Sequence, residues 1–87
     1  MPYVLIRTKV QDFAKWRAAY DEHLAMRKAA GLTERYLLRN ADNPNEVIIL
    51  FETSDLGSAR AFSISAELRQ KMRESGVVDE SDIFFLT

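Results

Sequence analysis

Cysteine is absent, so disulfides, thiolate nucleophiles and thiolate metal sites are excluded outright. Glycine occurs only three times and always singly, which leaves no glycine-rich loop to cradle a phosphate. There is a single histidine, so a metal would rest on carboxylates, and the acids show no ladder of suitable spacing. Ser63 and Ser65 are not set in a nucleophile elbow. No charge dominates: 13 acids face 12 bases for a net −1, which argues against a nucleic-acid partner. The longest apolar run, Val47–Phe51, falls far short of the roughly 20 residues a membrane helix needs. The start, Met1-Pro2-Tyr3, lacks the order of a secretory leader, so no membrane is expected and the cytoplasm is the expected compartment.

What is present belongs to an ordinary globular domain, 47% apolar and 29% charged over 87 residues, with one unit expected across 1–87. Residues 3–10 follow a proline and are rich in β-branched and large apolar types, the signature of a strand. Asp12 then reads as an N-cap, with helical spacing running to Ala30 and Gly31 placed for a left-handed end. Leu32–Arg39 and Glu46–Thr53 flank the turn cluster Asn40–Asn45 and predict an antiparallel hairpin. Ser54 or Asp55 opens a second helix from Leu56 to about Ser75, restarting near Ser63-Ile64-Ser65 with Ser65 as the new cap, and Gly76 ends it. Val77–Ser81 connects to a last strand, Asp82–Leu86. The order β-α-β-β-α-β predicts a ferredoxin-like α+β fold: a four-stranded antiparallel sheet with both helices on one face.

An uncovered sheet face should alternate to polar residues, and here it does not. Val47, Ile49 and Phe51 oppose Ile48 and Leu50; Val4 and Ile6 oppose Tyr3 and Leu5; Ile83 and Phe85 oppose Phe84 and Leu86. Two helices cover only one of these stripes. An identical chain placed sheet to sheet is the cheapest cover for the other, so a homodimer burying about 800 Å² per partner is expected.

Three stretches carry a family resemblance. The first helix contains Asp12, Phe13, Trp16, Arg17, Tyr20, Asp21, His23, Arg27 and Gly31, and the hairpin contains Asp42, Pro44, Asn45, Glu46 and Val47. The second helix contributes Ala61, Phe62, Ser65, Glu67, Leu68 and Arg69, followed by Gly76–Val78. In these the chain resembles the dimeric α/β-barrel superfamily, in particular its small antibiotic-biosynthesis-monooxygenase-like and cyclase-like bacterial members. The resemblance implies a cofactor-independent monooxygenase, cyclase or isomerase acting on a small hydrophobic or aromatic metabolite. Haem-degrading members pair a first-strand asparagine with a tryptophan and histidine from the second half. Here the only Trp and His both lie on the first helix and Arg7 is on the first strand, so haem is not expected.

At 100° per residue Phe13, Trp16, Tyr20 and Leu24 form the seam of the first helix, opposite Lys15, Ala18, Glu22, Ala25 and Ala29. Arg27 lies within that stripe and His23 at its edge. His23 is the candidate acid/base, being the side chain whose ordinary pKa suits proton transfer near neutrality. Arg27, Tyr20, Trp16 and Arg7 are the candidate substrate-binding residues. Each also has a structural role available: Trp16 and Tyr20 as core, Arg27 at a helix C-terminus, and Arg7 paired with Glu46 or Glu52 across the sheet. Tyr3 and Tyr36 fit either a cavity mouth or an interface. The alternatives to an enzyme are a non-catalytic or stress-responsive dimer that binds a small molecule, and a dimer with no ligand. A cavity above about 300 Å³ beside His23 and Arg27 is the feature that favours catalysis.

Overall fold

A computed structural model describes residues 2–78 and 81–87. The chain runs β1 (Tyr3–Lys9), α1 (Phe13–Glu22), α2 (Leu24–Ala29), β2 (Leu32–Arg39), β3 (Glu46–Thr53), α3 (Leu56–Ser63), α4 (Ala66–Glu74) and β4 (Asp82–Leu86). The sheet order is β2-β3-β1-β4, and every neighbouring pair is antiparallel. This is the expected ferredoxin-like arrangement, with β1 and β3 central. Asp79 and Glu80, within the expected link to β4, lie outside the described residues.

Local chemistry fixes the element ends. Asp12 Oδ1 accepts the Ala14 and Lys15 N–H groups at 2.9 and 3.4 Å. Asp55 Oδ1 does the same for Gly57 and Ser58, and its Oδ2 accepts the Ser58 hydroxyl at 2.8 Å. Those bonds, led by the Ser58 hydroxyl, hold the Asp55 carboxyl below its ordinary pKa. Ser65 Oγ caps α4 by accepting from Leu68 N, so the expected restart is a true helix break. Gly31 and Gly76 close their helices at φ 79° and 90°, a conformation that costs other residues a Cβ clash.

The first helix differs from expectation. The predicted helix to Ala30 is two helices meeting at His23, whose φ and ψ of −95° and 16° leave the α region. Leu24, expected in the core seam, is 47% exposed, because the break rotates it off the Trp16–Tyr20 stripe. Arg27 is turned inward and buried.

The pattern along β3 alternates strictly. Val47, Ile49, Phe51 and Thr53 are buried beneath the helices, and Glu46, Ile48, Leu50 and Glu52 face the other way. Their partners share the faces: Val4, Ile6 and Thr8 on the helix side, Leu5 and Arg7 on the open side. β2 breaks its alternation with an irregularity between Glu34 and Tyr36. The extra residue leaves Glu34 and Leu37 opposite Phe51 and Ile49 on the helix side and sends Tyr36 to the open side.

Candidate functional site

Between the helix-facing side of the sheet and the two helical pairs lies a cavity of about 90 Å³. Its floor is Val4, Ile6, Ile49 and Phe51. α1, α2 and their junction supply Trp16, Tyr20, His23, Met26 and Arg27. α3 and α4 supply Phe62, Leu68, Lys71 and Met72. The volume is well below the roughly 300 Å³ at which ligand pockets usually start. It is also smaller than the roughly 150 Å³ apolar cavity known to take a single ring.

Arg27 sets the electrostatics. It is 8% exposed and is the one cationic side chain among the described buried residues. Its Nη1 donates to the Tyr20 carbonyl, and its Cζ lies 3.6 Å from the centre of the Tyr20 ring. Trp16 stacks on Tyr20 with ring centres 4.9 Å apart. The Tyr20 hydroxyl donates to Glu34 Oε1 at 2.7 Å. Burial, and then that bond to Glu34, push the Tyr20 phenol well above its ordinary pKa. Tyr20 is therefore a fixed neutral phenol whose proton is already committed. Its ring and carbonyl position Arg27, while its hydroxyl tethers α1 to β2.

His23 reaches the cavity because the chain breaks there. Its backbone N–H closes a tight turn on the Tyr20 carbonyl at 3.2 Å, and its carbonyl starts α2 by accepting from Arg27 N. No side chain among the described residues hydrogen-bonds its imidazole.

Four of the five sequence candidates thus meet at one cavity: Trp16, Tyr20, His23 and Arg27. Arg7 does not join them. It lies on the opposite face of the sheet, with Nη2 2.6 Å from Asp82 Oδ2 and Nε 3.6 Å from Glu46 Oε1. The strand period puts Arg7 in register with Leu5, out of phase with the cavity residues Val4 and Ile6. Tyr3 and Tyr36 also face the open side, away from the cavity mouth. Glu34 went unread in the sequence although it carried a signal, an acid two residues after Leu32 on the inward-facing period. The mixed charges of the second predicted helix (Arg60, Glu67, Arg69, Lys71, Arg73 and Glu74) read as a solvated face, and Lys71 departs from it because packing turns it to the cavity wall. No three His, Asp or Glu side chains among the described residues gather as a metal site requires, and no helix there is long and apolar enough to cross a membrane.

No family model matches the chain, and no curated protein is significantly similar to it in sequence. Solved structures do match. A protein assigned as an antibiotic biosynthesis monooxygenase from Bordetella bronchiseptica superposes with a TM-score of 0.80 at 13% identity, over 99% of this chain and 94% of that one. SnoaB, a cofactor-independent oxygenase from Streptomyces nogalater, gives 0.69 at 16% identity over 95% and 89%. An uncharacterized NIPSNAP domain protein from Burkholderia xenovorans gives 0.69 at 8% identity over 100% and 93%. The chain has the ferredoxin-like α+β fold of the antibiotic-biosynthesis monooxygenases.

Proposed function

We propose that this chain is a homodimeric, cofactor-independent monooxygenase-like enzyme acting on a small aromatic metabolite in the cavity beneath its helices. The reading is carried by one observation: a buried arginine and a histidine meet at a largely apolar cavity, in a fold shared with a cofactor-independent oxygenase. In this reading His23 takes the acidic proton of the substrate, Trp16 packs its ring, and Arg27, steadied by Tyr20, holds it in place. The ionised substrate is then electron-rich and is itself the reductant of dioxygen. For a phenol the balance is one ring C–H and one O–H lost, one C=O formed from each position, and the second oxygen atom released as water.

The homodimer reading rests on the open face. Tyr36, Leu38, Phe84 and Leu86 are 63%, 57%, 48% and 40% exposed in the single chain, beside half-buried Leu5, Ile48 and Leu50. Two ion pairs border this patch, Arg7–Asp82 and Arg35–Glu52. A broad apolar centre with a polar rim is the anatomy of a specific interface. The expected particle has twice the 10.0 kDa of the chain.

Oxygen uptake with single-ring and two-ring phenols, with and without a carboxyl group, tests the catalytic reading. Wild type should exceed autoxidation on at least one and place a single atom of ¹⁸O₂ in the quinone product. His23→Ala should lower the rate by about a hundredfold or more. Uptake at the autoxidation rate throughout, or undiminished in His23→Ala, would remove it. A non-catalytic small-molecule-binding dimer is the second reading. It is favoured by the cavity of about 90 Å³, short of the size that favours catalysis, and by the imidazole of His23, which no described side chain orients.

A further inference from the structure

The geometry assigns to the cavity a ligand of definite class: a small aromatic or otherwise flat apolar acid whose carboxylate sits on Arg27. This deepens the oxygenase reading and shares its cavity, but it concerns binding and does not require turnover.

The cavity wall holds Arg27, Lys71 and His23, and no aspartate or glutamate. Arg27 makes no ion pair among the described residues. The nearest acid in its network, Glu34, is occupied by the Tyr20 hydroxyl at the edge of the ring over which the guanidinium lies. A guanidinium only 8% exposed and without a counter-charge is held at a cost, because one carbonyl, one ring and the little water that reaches it do not replace its full hydration. An anion entering the cavity offsets that cost, whereas a neutral ligand does not.

The unused part of the guanidinium narrows the class. Nη1 is spent on the Tyr20 carbonyl, and the Tyr20 ring covers one of the two flat faces. Nε and Nη2 have no hydrogen-bond partner among the described residues. No buried side-chain nitrogen is stranded there either, so these donors keep access to open space. Nε–H and the adjacent Nη2–H point the same way and form a two-pronged edge, which matches the two oxygens of a carboxylate. Most of the remaining wall is apolar: Trp16, Ile49, Phe51, Phe62 and Leu68 ask for a flat body of about one ring. Lys71, on α4, sits at the same wall with only a 3.9 Å contact to Glu74, and adds a second positive charge.

The test compares benzoate with benzamide, which has the same shape without the charge, by ¹H–¹⁵N NMR titration of the intact protein. Benzoate should bind at least about tenfold more tightly, the value of one charge-assisted hydrogen bond. Its shifts should centre on the Trp16 indole and the amides of Met26, Arg27 and Phe62. Arg27→Met, which keeps the length of the stem, should lose the preference for benzoate. Lys71→Met, on the loosely packed α4, should reduce it without abolishing it. Equal binding of the two ligands, binding of neither, or benzoate shifts confined to exposed arginines such as Arg69 and Arg73 would each overturn the assignment. So would an undiminished benzoate preference in a folded Arg27→Met protein. Benzoate binding without oxygen uptake on any phenol would sink only the catalytic reading, and uptake confined to uncharged phenols would sink only this one.

Discussion

The two sides of this sheet use the same residue types to opposite ends. β3 shows it within eight residues: Val47, Ile49 and Phe51 are sealed beneath helices, and Ile48 and Leu50 look out from the other side. Each side also carries an arginine. Arg7, on the open side, has two carboxylates in reach and a side chain 53% exposed. Arg27, on the sealed side, has a carbonyl and an aromatic ring and no carboxylate. An exposed arginine can choose its partners from water and neighbouring acids, so its pairing says little about function. A buried arginine left without an acid keeps binding capacity in reserve. On that contrast, more than on the apolar walls, rest the proposed ligand on the helix side and the proposed second subunit on the open side.

The strongest way to sharpen the contrast is to truncate one residue on the sealed stripe. Phe51 is 2% exposed at the centre of the core, and Phe51→Ala should lower the unfolding free energy by about 3–5 kcal/mol. Leu38→Ala on the open side should leave the folding of the subunit nearly intact and act on association instead. Urea unfolding followed at two protein concentrations separates the outcomes. A loss at Leu38 as large as that at Phe51, independent of concentration, would mean the open face is core and the contrast is wrong.

A smaller effect probes the network behind Arg27. Tyr20→Phe removes the hydrogen bond to Glu34 while keeping the ring under the guanidinium. Glu34 is exposed and recovers water, so the expected cost is about 1 kcal/mol near neutral pH. The alkaline dependence follows from the raised pKa of Tyr20. Below the ordinary phenol value of 10.0 both folded and unfolded forms are neutral, and the stabilisation is complete. Above it the unfolded phenol ionises while the folded one does not, so stability falls as pH rises. Tyr20→Phe should lack this part of the decline, and the gap between the two proteins should narrow above pH 10. A gap of constant size would show that Tyr20 ionises as readily in the folded chain.

Nearly all of the sheet was legible in the sequence because its strands are apolar runs closed by strong turn chemistry. Asn40 and Asn43 each use a side-chain oxygen to accept an N–H two residues on, so the hairpin announces itself locally. The break at His23 was not legible. Asp21-Glu22-His23-Leu24-Ala25 holds no glycine or proline, and the break coincides with a contact seven residues long, Arg27 reaching back to the Tyr20 carbonyl. The helical wheel placed Arg27 on the stripe but could not say that the break would bury it and expel Leu24. Likewise the irregularity of β2 at Arg35, which sends Tyr36 outward, depends on pairing with β3 and leaves no mark in alternation alone. For Arg7, strand period already set it beside Leu5 and apart from Val4 and Ile6. Of the two roles open to Arg7 in the sequence, pairing with Glu46 across the sheet is the one its position on the open side matches.

The smallest expected effect is at Arg7, and its smallness is informative. The Arg7 guanidinium is held above its ordinary pKa by the hydrogen bond to Asp82 first and by the charges of Asp82 and Glu46 after it. Arg7 and Asp82 have half-exposed side chains on the open face, where water screens their pair in a lone chain, and the less exposed Glu46 stands farther off at 3.6 Å. Arg7→Ala should therefore leave the urea midpoint of a dilute, dissociated protein unchanged. In a dimer the same groups lie at the rim or beneath the partner, and removing the cation leaves Glu46 and Asp82 as like charges with nothing between them. Dissociation followed by sedimentation should then be faster in Arg7→Ala at low salt, and the difference should fade in 1 M salt, where the screening length is about 3 Å. A salt-independent loss of folding stability in Arg7→Ala would instead place this arginine in the subunit core, and the distinction between the two arginines would disappear.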